Sequence, residues 1–110
     1  MKVAVFHPRA RDVIRDFPED VRREFGKIIF DLQKGEKLSM PLSRPMSSVG
    51  SGVEELRVRD SSGAYRVFYY TKLFDSVLIF HAFAKKTKKT PPHEIALAKK
   101  RLKEMLNEES

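Results

Sequence analysis

VEELRVRDSSGAYRVFYY, residues 53–70, decides the fold predicted for this chain. Two runs rich in β-branched and aromatic residues flank Asp60-Ser-Ser-Gly63, a composition typical of a hairpin turn. A later run, VLIFHAFA, is apolar on both faces, which indicates a strand with a neighbour on each side. The three runs, Val53–Asp60, Tyr65–Leu73 and Val77–Ala84, therefore predict an antiparallel meander.

Helical patterns precede the meander. VAVF, at Val3–Phe6, is typical of a short strand that joins the sheet at its side. Apolar residues at helical spacing then predict two helices that meet at Pro18, because proline disfavours a helical residue before it and suits the start of a new helix. Gly35 is expected to end the second helix. This part of the chain therefore predicts a helical hairpin.

A loop is predicted before the meander and a helix after it. Leu38–Gly52 is rich in Ser, Pro and Gly without helical or strand periodicity, so it predicts a long functional or mobile loop. Thr90 as N-cap and Pro91 as first helical residue predict a final helix. The predicted order is β-α-α-β-β-β-α, an α+β fold in which the hairpin and the C-terminal helix surround a mainly antiparallel sheet. Residues 1–110 are expected to form a single domain.

Composition narrows the classes of partner. The net charge of +7 predicts attraction to polyanions, with nucleic acid as the leading candidate and an anionic membrane surface as the second. Cysteine is absent, which excludes disulfides, thiolate metal sites and a cysteine nucleophile. No apolar run approaches the length of a membrane span, and the charged N-terminus does not resemble a signal peptide. We therefore expect no membrane-spanning segment and, because nucleic acid ranks first, no membrane partner. A cytoplasmic location is expected by default.

Arginines concentrate on one predicted face of the hairpin. Period two places Glu55, Arg57 and Arg59 on one face of their strand and Leu56 and Val58 on the other, and it separates Arg66 from Val67 on the next strand. The turn brings Arg66 beside Arg57 and Arg59. Like charges on adjacent strands repel unless an anion or a carboxylate lies between them. Two interpretations follow: a phosphate-binding site, which suits the planar guanidinium, or salt bridges to neighbouring acids. The acids available are Glu54, Glu55 and Asp60.

Lysines and histidines follow near the last helix. KKTKK is consistent with a solvated turn, but it lies just before a helix N-terminus, where an anion is favoured. His93, in the first turn of that helix, is either a proton donor or acceptor or a solvated side chain, whereas His81 in its apolar strand is expected to be a core residue. The histidine spacing predicts no metal site. The lysines are Lys85, Lys86, Lys88 and Lys89.

Four motifs together resemble the HigB-like branch of the RelE-type toxins of bacterial toxin–antitoxin modules, a branch that includes phage-derived members. The resemblance covers essentially the whole chain and implies the RelE-like fold. The motifs are Glu55-Leu56-Arg57, Gly63-Ala64-Tyr65-Arg66-Val67, the run from Phe83 through the lysines to Pro91, and Ala98 to Arg101.

The resemblance implies a small ribonuclease that cuts mRNA in the ribosomal A site and inhibits translation without a metal or other cofactor. It also implies neutralisation by a cognate antitoxin, usually a helix-turn-helix protein. In such an enzyme the RNA 2′-OH attacks the adjacent phosphate, and basic side chains stabilise the phosphorane.

Site residues follow from the motifs. We expect Arg66 and Lys86, with Lys85, to stabilise the phosphorane, and His93 to be the proton donor. The remaining basic residues, Arg57, Arg59, Lys88 and Lys89, are expected to bind the RNA.

Other functions fit the same basic surface. A module of this fold that binds RNA or the ribosome without cleavage would need the same phosphate contacts. A DNA-binding regulator ranks last, since no helix-turn-helix pattern is evident. The ribonuclease is therefore the leading prediction.

Overall fold

A five-stranded sheet lies at the centre of the protein, whose structure is a computed structural model describing residues 1–109. Its strand order is β1-β5-β4-β3-β2, with β1 parallel to β5 and the other pairs antiparallel. The α+β fold is confirmed, with one additional strand. The elements are β1 (Val3–Phe6), α1 (Pro8–Arg15), α2 (Glu19–Gln33), β2 (Ser43–Pro45), β3 (Val53–Asp60), β4 (Gly63–Tyr70), β5 (Ser76–Lys85) and α3 (Pro92–Glu109).

The β3–β4 hairpin turns at the predicted residues. The carboxylate of Asp60 accepts hydrogen bonds from the backbone of Ser62 (2.8 Å) and Gly63 (3.1 Å), which closes the turn. From Asp60 opposite Gly63, the ladder runs to Val53 opposite Tyr70. β4 therefore ends where its partner begins, three residues before the predicted end at Leu73.

The sheet buries a separate core on each face. The face against α1 and α2 (the α2 face) carries Leu56, Val67 and Tyr69. The opposite face (the α3 face) carries Phe68 and Phe80 and packs on α3. The alternation predicted for β3 and β4 is confirmed. The helical residues that fill these cores are Val21, Phe25, Ile28, Ile29 and Leu32 of α2 and Ala98, Leu102 and Met105 of α3.

A β-bulge in β5 changes which face its later residues occupy. Tyr69 pairs with Ile79, but the preceding Phe68 pairs with His81, so Phe80 is an extra residue in the ladder. A one-residue shift exchanges the two faces of a strand. Phe80 and His81 are consequently both directed to the α3 face, where His81 contacts α3. Uninterrupted alternation would have placed His81 on the α2 face.

The Ser- and Pro-rich segment contains a strand, so the prediction of a loop without secondary structure was wrong there. β2 pairs with Glu54–Leu56 of β3, and its Ser43 hydroxyl contacts Tyr69 at 2.7 Å. Three residues are too few to show a periodic pattern. Beyond β2, Met46 and Val49 are buried in the α3-face core, which anchors the segment.

The helix boundaries are close to those predicted. α2 starts at Glu19 directly after Pro18, and Gly35 follows its end with a φ of 90°. α3, however, begins one residue later than expected. The carbonyl of Pro91 accepts the N–H of Glu94 at 3.0 Å, so Pro91 occupies the capping position and the Thr90 hydroxyl does not cap the helix. Within residues 1–109, no helix has the length and apolarity needed to cross a bilayer.

Replacing Phe68 by Ala tests the α3-face core. Its side chain is fully buried, with ring centroids 6.4 Å from Phe80 and 5.7 Å from Phe83. We expect the free energy of unfolding, measured by urea denaturation, to fall by about 3–5 kcal/mol because a large cavity remains. Phe74→Ala is the matched control, since Phe74 is 97% exposed. Equal stability of the two variants would contradict this packing.

Candidate nucleic-acid interface

Two arginines face each other directly across the hairpin. Arg57 of β3 pairs with Arg66 of β4, on the α3 face. Side chains at such positions have Cβ atoms about 4.5–5.5 Å apart, so the two guanidiniums repel each other. Arg66 is only 4% exposed, which adds the cost of burying its charge. The pair therefore needs a negative charge close by.

Glu55 supplies that charge. Its side chain is completely buried, and its Oε1 lies 3.4 Å from Nε of Arg44, 3.8 Å from Nε of Arg57 and 3.6 Å from Nε of Arg66. We call these three arginines and Glu55 the arginine cluster. The salt-bridge interpretation is thus confirmed for Glu55. Glu54 instead accepts a hydrogen bond from Ser43, and Asp60 closes the turn.

The charges of the arginine cluster do not balance. Three guanidiniums surround one carboxylate, and within residues 1–109 neither Glu55 oxygen nor any of the three Nε atoms has a hydrogen-bond partner. Burial lowers the pKa of Arg66 from its ordinary value, and the charge of Glu55 opposes this shift. The cluster therefore retains excess positive charge, and an anion at its surface would be stabilised.

Lys85 extends the cluster at the end of β5. Burial, followed by the positive charge of Arg66, lowers the pKa of Lys85. Its position opposite Ala64, next to the pair of Phe83 and Arg66, places it on the α3 face. Arg59 lies two residues beyond Arg57 on the same strand and is exposed. These predicted residues are therefore brought together on one surface.

The other predicted lysines follow the end of β5. Lys86 follows Lys85 just past the end of β5 and is exposed, as are Lys88 and Lys89. The Thr87 hydroxyl donates a hydrogen bond of 2.6 Å to the carbonyl of Lys89, so this connection is an ordered turn. The assignment of Lys86 to phosphorane stabilisation stays a prediction, and the structure places Lys85, not Lys86, beside Arg66.

Arg44 is the residue that sequence analysis missed. It lies on β2, opposite Glu55, in the segment predicted to lack strands. Arg44 could have been assigned to the site only if the pairing of β2 with β3 had been known, and a single sequence does not give that pairing. Its side chain is 40% exposed, so it reaches the surface beside the buried carboxylate.

A surface cavity adjoins the arginine cluster. It has a volume of about 300 Å³ and is lined by Arg57, Arg59 and Arg66 together with apolar groups. Apolar and basic surfaces side by side suit a nucleotide, which carries a flat base and a charged phosphate. The apolar lining residues are Pro41, Leu42 and Val58. A cavity of about 450 Å³ elsewhere includes none of the arginines.

A second polar group on the α3 face joins β5 to α3. The ring of His81 is buried, with Nδ1 2.9 Å from a guanidinium nitrogen of Arg101 and Nε2 2.7 Å from Oε1 of Glu94. Its prediction as a core histidine is confirmed. Oε2 of Glu94 lies 3.3 Å from Nε2 of His93, whose side chain is 76% exposed. Residues 1–109 contain no group of three or more His, Asp or Glu side chains arranged for a metal ion.

Glu55→Gln tests whether the carboxylate holds the cluster together. We expect the free energy of unfolding to fall by about 3–5 kcal/mol, because three guanidiniums then lose their buried counter-charge. Urea denaturation measures the change, and inorganic phosphate should restore part of it by supplying negative charge. Glu36→Gln is the control, since its partner Lys34 is exposed and the pair contributes little. Unchanged stability of Glu55→Gln would contradict the dependence on this carboxylate.

Acidification tests the buried state of His81. Burial is the largest cause that lowers its pKa from the ordinary value of 6.5, so below that pH the unfolded chain binds the proton more readily than the folded chain. Stability should therefore be constant above about pH 6.5 and fall as the pH decreases towards 5.5. His81→Gln should show a shallower slope in the same titration. His7, whose pKa burial also lowers, keeps its contribution in both proteins, and identical slopes would contradict the prediction.

Comparison with known proteins identifies the family of this chain. A family model described as Phage derived protein Gp49-like matches residues 12–103, from α1 into the last turns of α3. No curated protein was found to be similar to the chain. The matched region contains the whole arginine cluster, Lys85 and the polar group of His81, Glu94 and Arg101. The protein therefore belongs to the Gp49-like family of phage-derived proteins, a family related to the RelE- and HigB-like toxins.

Proposed function

We propose that this protein is the toxin of a type II toxin–antitoxin system and that it cleaves mRNA in the ribosomal A site, which inhibits translation. The observation that carries the proposal is the arginine cluster, where three guanidiniums share one buried carboxylate beside Lys85. A surface with that charge excess suits a phosphodiester, and more so a phosphorane with its additional negative charge.

The reaction involves the substrate, the side chains and solvent water. The 2′-hydroxyl of the RNA gives its proton to a water molecule as it attacks the neighbouring phosphorus. The bond from phosphorus to the 5′-oxygen then breaks, and that oxygen takes a proton. The products are a 2′,3′-cyclic phosphate and a 5′-hydroxyl end. In this proposal Arg66 and Lys85 stabilise the phosphorane between these two bond changes.

Glu55 has a role in this proposal although it is negative. Its Oε1 contacts the Nε atom of each arginine, so the carboxylate engages one edge of each guanidinium. One terminal nitrogen of Arg44 donates to the sulfur of Met46 at 3.9 Å. One terminal nitrogen of Arg66 donates to the carbonyl of Tyr65. The guanidiniums are thereby oriented before RNA arrives, and preorganised donors stabilise developing charge at little reorganisation cost.

RNA fits this site better than an isolated phosphate does. The cavity of about 300 Å³ places apolar side chains next to Arg57, Arg59 and Arg66, where a base would lie beside its own phosphate. The exposed lysines that follow β5 would then extend the positive surface along the bound RNA. They are Lys86, Lys88 and Lys89. A helix-turn-helix antitoxin is the proposed partner, and its gene is expected beside this one.

Induced expression followed by mapping of mRNA ends tests the function. We expect growth arrest with cuts inside translated codons. Lys85→Ala should lower the cleavage rate on purified ribosomes by about 10²- to 10³-fold, because a donor to the phosphorane is lost. Arg66→Ala should do the same if circular dichroism shows that the variant is folded. Lys86→Ala tests the prediction that Lys86 also stabilises the phosphorane, and a similar loss of rate is expected if it does.

Lys27→Ala is the matched control, since Lys27 is exposed on α2 at the other face of the sheet. Arrest with intact mRNA would contradict nuclease activity and favour a module of this fold that binds RNA or the ribosome without cleavage. Cleavage by Lys85→Ala and Arg66→Ala at the parental rate would show that the arginine cluster is not the site.

A further inference from the structure

Four side chains form a chain of contacts from the core to the surface on the α3 face of the sheet. Arg101 contacts His81, His81 contacts Glu94, and Glu94 faces His93. We propose that Glu94, fixed by His81 and Arg101, is a positioning residue that orients His93 for proton transfer; this inference rests on the RNA cleavage proposed above.

The contacts determine the tautomer of His81. A guanidinium has only donors, so Nδ1 of His81 must accept the bond from Arg101 and carries no proton. The ring proton is then on Nε2, which donates it to Oε1 of Glu94. Burial lowers the pKa of His81, which agrees with a neutral ring. Glu94 is therefore held by a donor of fixed direction.

The outer oxygen of Glu94 is directed to the surface. The Glu94 side chain is 18% exposed, and its Oε2 lies 3.3 Å from Nε2 of His93. With Nε2 of His93 facing the carboxylate, its Nδ1 is the nitrogen available to a substrate. A base oriented in this way by a third group is the usual arrangement in enzymes that transfer protons through histidine.

A purely structural link between α3 and the sheet would not need this arrangement. Apolar residues already join them, since Phe80 and Ala98 pack in the same core. Burying the ionisable side chains of His81 and Arg101 in place of apolar ones is often neutral or costly for stability. Here Glu94 connects the buried His81 to His93 at the surface. A link that only held α3 against the sheet would not require that surface histidine.

The position of the group on the sheet suits the proposed reaction. His81, Phe83 and Lys85 follow each other on the α3 face of β5, and two residues along a strand cover about 7 Å. Phe83 pairs with Arg66, and its ring centroid lies 5.5 Å from that of His81. Phe83 thus lies between the arginine cluster and His81, and through His81 the side chains of Glu94 and His93 are attached to the same strand.

His93 would transfer a proton in the step already described, in which the 2′-hydroxyl loses one proton and the 5′-oxygen gains one. As acid, Nδ1–H gives its proton to the 5′-oxygen as the bond to phosphorus breaks. The role of Glu94 is to keep that nitrogen directed outward, so Glu94 acts through His93 and does not touch the RNA.

Kinetics on a ribosome-bound mRNA distinguish positioning from simple stabilisation. His93→Ala should lower kcat by about 10²-fold with KM unchanged, since general acid–base catalysis contributes 10²–10⁴-fold, and added imidazole should restore part of the rate. Glu94→Gln should lower kcat by about 10-fold. In the double variant Glu94→Gln should cause no further loss, because its effect passes through His93. His7→Asn, which keeps a side-chain acceptor at the α1 N-cap, is the control.

Each outcome bears on one of the proposals. No cleavage by the parent protein would overturn the proposed function and this inference with it. Cleavage by the parent and by His93→Ala at equal rates would overturn the inference alone. If Glu94→Gln lowers kcat as much without His93 as with it, Glu94 only stabilises the fold and the positioning role is wrong.

Discussion

Three guanidiniums can share one end of the α3 face only because the carboxylate of Glu55 lies between them. Its contacts of 3.4–3.8 Å reach strands β2, β3 and β4, so one side chain joins three neighbouring strands. Those contacts depend in turn on the register of the hairpin, which places Arg57 opposite Arg66. A slip of one residue would send these side chains to the α2 face, where apolar residues form the core.

An aromatic layer separates the two polar groups of the α3 face. Phe83 pairs with Arg66 on one side, and its ring lies beside His81 on the other. Phe68 packs edge-on against Phe83 and 5.6 Å from His81. In this low-dielectric setting each polar contact is stronger than in water. The layer also keeps Glu94 away from the arginines, so each group retains its own counter-charge.

Sequence patterns predicted the fold where they were long enough to be periodic. The alternation in β3 and β4 correctly separated Leu56 and Val67 from Arg57 and Arg66, and the apolar run of β5 correctly indicated a strand between two others. β2 was missed because three residues carry no period, and Arg44 was missed with it. The contacts between Arg101, His81 and Glu94 depend on a bulge, which arises from packing and leaves no mark in a single sequence.

The extra residue in β5 has a consequence for comparing this chain with its relatives. Because Phe80 interrupts the ladder, the residues before it and after it follow opposite parity with respect to the two faces of the sheet. Suppose that a relative lacks the extra residue of the bulge. An alignment that counts forward from the start of β5 will then match His81 to a residue on the α2 face of that relative's sheet. Counting backward from Lys85 preserves the equivalence, since His81, Phe83 and Lys85 lie in one uninterrupted stretch. The end of β5, and not its beginning, is therefore the reference point for locating the position equivalent to His81 in other members of the family.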